Sequence, residues 1–326
     1  LICFIYLAHF SWYRLGRKYN SSRSLKNKRV LVFGPTASIG VELIKELSAR
    51  QAEIIIATFD QDISKEIINT AYFESNVQIE FVDFSRLHSV AEFCDRLLKD
   101  NKLIDIFISC SEIENQPPTL TEDQVEITFQ TNYLCHYLAL IKLLHLLRKA
   151  RSGRIVILTS NDHKLVERCP KKEFHRCYKD SLEARKQAFE YSKFCLTSFA
   201  WKLADLVNAP NLSVHCVNPG KCSSNPFHQI IYKTPSESVQ GILYAILSEK
   251  QPPFYIEGIQ ESLSYNRLVS NHLLSNILWT LPPSNVSRKH KPTYPTRKSA
   301  KASAMMKRHV RSSSGYSSHN EETTFR

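Results

Sequence analysis

The stretch RVLVFGPTASIGVELIKELSAR, residues 29–50, decides the fold. Residues 30–33 are uniformly apolar, as in a strand covered on both faces. Gly34 ends the run. Beyond it Leu43, Ile44 and Leu47 recur at helical spacing and share one face. Strand, glycine turn and helix together form the opening unit of a parallel sheet wrapped by helices. The unit repeats along the chain. EIIIATF (53–59), VQIEFVDF (77–84), IDIFISC (104–110), GRIVILTS (153–160) and NLSVHCVNPG (211–220) read as five further strands. Long helical patterns lie between them, notably over 122–150 and 181–207. The expected class is α/β, a single-domain, doubly wound parallel sheet of Rossmann-like type with right-handed crossovers. Ligands then bind beyond the carboxyl ends of the strands.

Composition bounds the rest. Hydrophobic residues make up 43% of the 326, so most of the chain is expected to be globular. The net charge is +12, but nine Lys/Arg and no Asp/Glu fall between Arg288 and Arg311. The basicity belongs to a tail, which argues against a nucleic-acid groove in the folded part. Residues 281–326, rich in Pro, Ser and Lys, are expected to be a disordered basic tail. At the other end, residues 1–13 are almost wholly apolar and are followed by Arg14, Arg17 and Lys18. Thirteen residues fall short of the ~20 that span a bilayer. Residues 1–15 are read as the remnant of a membrane anchor and 16–28 as a basic linker. A cleaved targeting segment or an interfacial helix is the competing reading. The nine cysteines are scattered, with no Cys-x-x-Cys pair, as in a reduced compartment. Cys169, His175 and Cys177 match no standard zinc spacing, and no metal is expected.

Three segments carry possible chemistry. FGPTASIG, residues 33–40, brings backbone N–H groups to a helix N-terminus, where a phosphate is held and glycine permits close approach. Read alone, the segment is better taken as an ordinary strand–turn–helix, and its place after the first strand favours the phosphate loop. Asn132 lies inside a helical pattern, where a buried amide needs a partner. In AFEYSKFCL, residues 188–196, Phe189 and Lys193 are four apart and share a helix face, whereas Tyr191 does not.

Taken in order, these segments resemble the short-chain dehydrogenases/reductases, of the retinol-dehydrogenase-like, membrane-associated kind, over residues 29–280. The resemblance implies NAD or NADP as cofactor and hydride transfer on a lipophilic alcohol or carbonyl, retinoid, steroid or polyprenol-like. Gly34, Ser38, Ile39 and Gly40 fall in the family's phosphate loop, with Ser38 replacing the middle glycine and Phe33 the leading threonine. Asp83 matches the adenine-contacting Asp. Phe59 stands where a cofactor-selecting Arg would be, so the motif does not separate NAD from NADP. Ser109-Cys110-Ser111-Glu112 replaces Asn-Asn-Ala-Gly, and Glu112 puts a carboxylate near the cofactor phosphates. Asn132 matches the family's active-site Asn, Ser160 its catalytic Ser, and Lys193 the Lys that binds the nicotinamide ribose. Pro219 and Gly220 match the turn lining the nicotinamide pocket, and Ser224 takes the place of a Thr that contacts the amide. His136 is expected to be a packed, hydrogen-bonded helix residue.

The catalytic tyrosine is the exception, because Phe189 stands in its place and carries no proton. Loss of a general acid costs ~10²–10⁴ in rate. The expectation is therefore a weakened oxidoreductase with weak cofactor binding, or alternatively an inactive relative acting as a binding or scaffold protein. By the same resemblance the domain faces the cytosol from the endoplasmic reticulum membrane.

Overall fold

The computed structural model describes residues 18–35, 37–60, 76–167, 179–207, 209–225, 227–230, 232–262 and 269. The apolar run 1–13, the tail 281–326, and Cys169, His175 and Cys177 lie outside these residues.

Eight strands form one sheet: β1 (Arg29–Phe33), β2 (Glu53–Thr58), β3 (Val77–Phe81), β4 (Ile106–Ser109), β5 (Gly153–Leu158), β6 (Leu212–Asn218), β7 (Tyr255–Glu257) and β8 (Gln260–Glu261). Their order is β3-β2-β1-β4-β5-β6-β7-β8. The first seven run parallel, and β8 returns antiparallel along β7. All six strands read from the sequence are present. The two short final strands carry no hydrophobic period of their own. β3 is less buried than its sequence suggests, because it is the sheet edge and turns Gln78 and Phe81 to solvent.

Side-chain alternation builds two cores. Val30, Val32, Ile54, Ile56, Ile106 and Ile108 face one way and meet α1 (Ala37–Ala49) and a later helix, Gln240–Leu247. Leu31, Phe33, Ile55, Phe107, Ile155 and Ile157 face the other way. They meet α2 (Leu87–Asp100), α3 (Cys135–Arg148) and α4 (Leu182–Val207). A short helix α5 (Pro235–Ser238) precedes α6 (Gln240–Leu247). α5 opens with a capping box, Thr234 and Glu237 exchanging bonds with each other's backbone. Helices on both faces and a strand order that reverses between β1 and β4 give the doubly wound arrangement, with its crevice at that reversal.

Candidate functional site

β1 leads into Gly34, which has φ +71°. A Cβ there would sit 2.2 Å from the Ser111 Cβ, so only glycine lets the exit of β4 approach this closely. At Gly40 a Cβ would sit 2.5 Å from the Cβ of Pro35, packing the first turn of α1 onto the loop. Ser38 and Ile39 are half-buried in that turn. Rather than capping the helix, the Ser38 hydroxyl accepts a 3.0 Å bond from Ser224 Oγ. The phosphate-loop and nicotinamide-side candidates are thus tied together directly. Phe33 is fully buried among Phe84, Phe107 and His136, with centroids 5.0, 5.7 and 5.2 Å away. Asp83 follows β3, and its Oδ1 accepts from Ser85 N at 2.9 Å and from Ser85 Oγ at 2.7 Å. Phe59, at the end of β2, is 48% exposed and meets Phe84 edge-on at 5.8 Å.

The expected helix over 122–150 is interrupted. A single turn, Ile127–Phe129, passes into a π-turn, Gln130–Leu134, before α3 begins. Asn132 sits at the centre of the π-turn, fully buried. Its Oδ1 accepts from Ile113 N at 2.8 Å, and its Nδ2 donates to Ile113 O at 2.9 Å and to Ser192 Oγ at 3.0 Å. This clamps the loop after β4 to α4. His136, one turn on, donates from Nε2 to Ser111 O at 3.0 Å and accepts at Nδ1 from Ser109 Oγ at 2.6 Å. A neutral imidazole protonated at Nε2 satisfies both bonds. Burial holds its pKa down to about 3.

α4 carries Phe189, Ser192 and Lys193 to the same place. Ser192 Oγ donates to Phe189 O at 2.7 Å. The Lys193 ammonium lies 5.5 Å from the centroid of the buried Phe189 ring, a cation–π distance. It donates to Glu112 Oε2 at 2.5 Å. The lysine side chain is 1% exposed and its partner 41%, so the ion pair runs from the interior to the mouth of the site. Thr197 donates to Lys193 O at 2.8 Å and is bonded in turn to Thr159 at 2.7 Å, fixing α4 against the end of β5. Ser160 follows, half-buried, and its hydroxyl accepts a long 3.4 Å bond from Asp162 N at the start of a 3-10 turn, Asn161–Leu165. The ring of His163 bonds the Ser160 carbonyl, and burial lowers its pKa to about 4.

After β6, Asn218 Oδ1 accepts from Gly220 N at 3.0 Å and shapes the Pro219-Gly220 turn. Gly220 has φ +79°, and the Lys233 side chain lies across it, its Cε 3.2 Å and Nζ 3.3 Å from where a Cβ would be. Lys233 is half-buried, and burial lowers its pKa against the opposing pull of Glu257 and Glu237. It is a cation at the cofactor edge that sequence reading misses, because the loop around it has neither period nor motif. Its bridge to Cys222 is the feature that places it.

The structure therefore brings Asn132, Phe189, Lys193 and Glu112 together, and Ser38 with Ser224. Asp83 stands apart at the end of β3. Among the described residues no three His, Cys, Asp or Glu side chains are placed to hold a metal ion. Nor is any described helix long and apolar enough to cross a membrane.

Comparison with known proteins agrees with this fold. The model of the short chain dehydrogenase family matches residues 28–167. Mouse retinol dehydrogenase 13 is 24% identical over 278 residues, covering 76% of this chain and 81% of its own. Polyprenol dehydrogenase of Danio rerio is 26% identical over 267 residues, covering 73% and 78%. A solved short chain dehydrogenase from Shigella flexneri, complexed with NADP, has a TM-score of 0.58 at 17% identity, covering 74% of this chain and 100% of its own. Residues 28–167 thus match the short chain dehydrogenase family, and the chain as a whole is similar to retinol dehydrogenases.

Proposed function

We infer that the chain binds a nicotinamide dinucleotide along the carboxyl ends of β1, β4, β5 and β6. Its hydride-transfer chemistry on lipophilic alcohols or carbonyls then runs without a phenol to move the proton. One observation carries the reading: a lysine ammonium held almost wholly out of solvent, 5.5 Å over the ring of Phe189. A buried cation is retained at a cost unless the site uses it. The dinucleotide, when bound, supplies the hydride donor or acceptor.

The residues fit such a group in part. The Gly34 and Gly40 turn, Asp83 and the Pro219-Gly220 turn would hold the phosphate, adenosine and nicotinamide ends. Lys193 would hold the ribose once its ammonium parts from Glu112, and Ser160 would orient the substrate oxygen. Leu165, Leu182 and Phe227, on segments that follow β5 and β6, are large apolar side chains left exposed. They support a lipophilic substrate, as do the names of the retinol and polyprenol dehydrogenase relatives. Phe59 offers neither a carboxylate nor a guanidinium to a ribose, so this position does not decide between NAD and NADP.

The ion pair favours a second reading, a binding protein without turnover, because Glu112 already occupies the cation that would grip the ribose. One experiment separates the two. The purified chain is titrated with NADH and NADPH, then assayed at saturating cofactor with a lipophilic aldehyde, as wild type and as Phe189→Tyr. A restored proton donor should raise the rate at least about tenfold, the low side of acid–base catalysis. A chain that binds neither dinucleotide defeats the first reading. Bound cofactor with no turnover in either form supports the second.

A further inference from the structure

At the amino-terminal ends of the strands, opposite the edge that carries Lys193, lies an open cleft of about 780 Å³. One wall is the segment Tyr19–Arg23; the others are Ser152 and Arg154 at the start of β5, and Leu247–Lys250 at the end of α6. The first wall is anchored. Tyr19 N donates to Gln240 Oε1 at 2.8 Å, and the Tyr19 ring meets Tyr244 edge-on at 5.3 Å. Arg23 Nη1 reaches the helix-end carbonyls of Leu247 and Ser248 at 3.3 and 3.4 Å. Arg154 is half-buried, and its Nη1 donates to Ser213 Oγ on the neighbouring strand at 2.7 Å.

Two guanidinium groups therefore share one polar cleft. Among the described residues neither makes an ion pair, although Glu249 stands on the rim. Burial and the proximity of Arg23 both lower the Arg154 pKa, the signature of a cation lacking its counter-charge. Lys250 adds a third positive group, and serines 21, 22, 152 and 248 supply hydroxyls. The volume lies in the range of small-ligand sites. Planar guanidinium forks suit the paired oxygens of a phosphate.

We propose that this cleft binds a phosphate group, with Arg23 and Arg154 as its principal ligands. In the sequence its first wall follows directly on the apolar run 1–13 and the basic residues Arg14, Arg17 and Lys18. An anionic phospholipid headgroup is thus one source of the phosphate, and a soluble phosphate ester is the other.

The full chain is tested in two arms. Binding of inorganic phosphate is followed by ³¹P NMR line broadening. Binding to vesicles of phosphatidylcholine doped with phosphatidic acid is followed by flotation. Arg23→Gln and Arg154→Gln should each weaken the productive arm about tenfold, as loss of a charge-assisted bond does. Arg154 also bonds Ser213, so Ser152→Asp serves as a second probe, placing a negative charge in the cleft from an exposed turn. Weakened phosphate binding with unchanged flotation identifies a soluble ester. Weakened flotation identifies a headgroup. If Arg23→Gln and Ser152→Asp leave both arms at wild-type level, or if neither arm shows binding, the proposal is overturned.

Discussion

At the scale of single residues, the site turns on a carboxylate in an unusual place. Glu112 follows β4, where it would stand beside the cofactor, and it closes on Lys193 at 2.5 Å. A dinucleotide bound as proposed would have to displace this carboxylate and also tolerate its charge near two phosphates. Glu112→Gln removes the charge while keeping the volume. Dinucleotide binding should therefore tighten about tenfold, equivalent to ~1.4 kcal/mol, in a fluorescence titration with NADPH. An unchanged dissociation constant in a folded variant would show that the pair is no obstacle. This contact explains what a sequence can and cannot convey. That Phe189 and Lys193 share a helix face is legible, because they lie four residues apart on one helix. So is the stray charge of Glu112. Their meeting is not, because 81 residues separate Glu112 from Lys193 and only the sheet order brings them together. Lys233 is invisible for a related reason, since its place depends on a single bridge to Cys222.

At the scale of elements, the departure from expectation is the π-turn at Gln130–Leu134. Hydrophobic period detects a helix over this region, but one extra residue per turn rotates the pattern without erasing it, so the interruption leaves little trace. A polar Asn132 in an otherwise buried run is the one sign. The turn's extra width points Asn132 at the loop after β4, where it satisfies both backbone groups of Ile113 and bonds Ser192. Asn132→Leu would keep the volume and strip these partners. The expected loss is about 1 kcal/mol, at the lower end for stranded polar groups because Ile113 is only half-buried. Urea unfolding measures it. A midpoint within error of wild type would mean that the clamp contributes no stability. The strands, by contrast, were legible throughout the centre of the sheet, because parallel strands covered on both faces are written as unbroken apolar runs. The edge strand β3 and also β6, with Ser213 and His215, mix polar residues into their runs, and β7 and β8 are too short to announce themselves.

At the scale of the whole molecule, three buried histidines link stability to pH. His136 is held to about 3, and His163 and His215 to about 4, in each case chiefly by burial. His215 shares Ser213 with Arg154, at 2.7 Å, and bonds Pro253 O at 2.9 Å, and burial with the nearby Arg154 charge outweighs the latter bond in holding it neutral. In the unfolded chain each would titrate near 6.5. Above that pH both states hold neutral imidazoles and the histidines impose no penalty. As pH falls below 6.5 the unfolded chain takes up protons that the native one refuses, and stability declines until the native values near 4 and 3 are reached. Each histidine costs on the order of 1 kcal/mol per pH unit in that window. Thermal unfolding at pH 5 should therefore begin well below that at pH 7.5, by at least ~5 °C for a domain of this size. Protonating carboxylates could produce the same trend, so His215→Gln supplies the control. It removes one titrating group, and its melting temperature should depend less steeply on pH than that of wild type. A flat profile for wild type, or equal slopes for both proteins, would show that burial does not hold these imidazoles neutral.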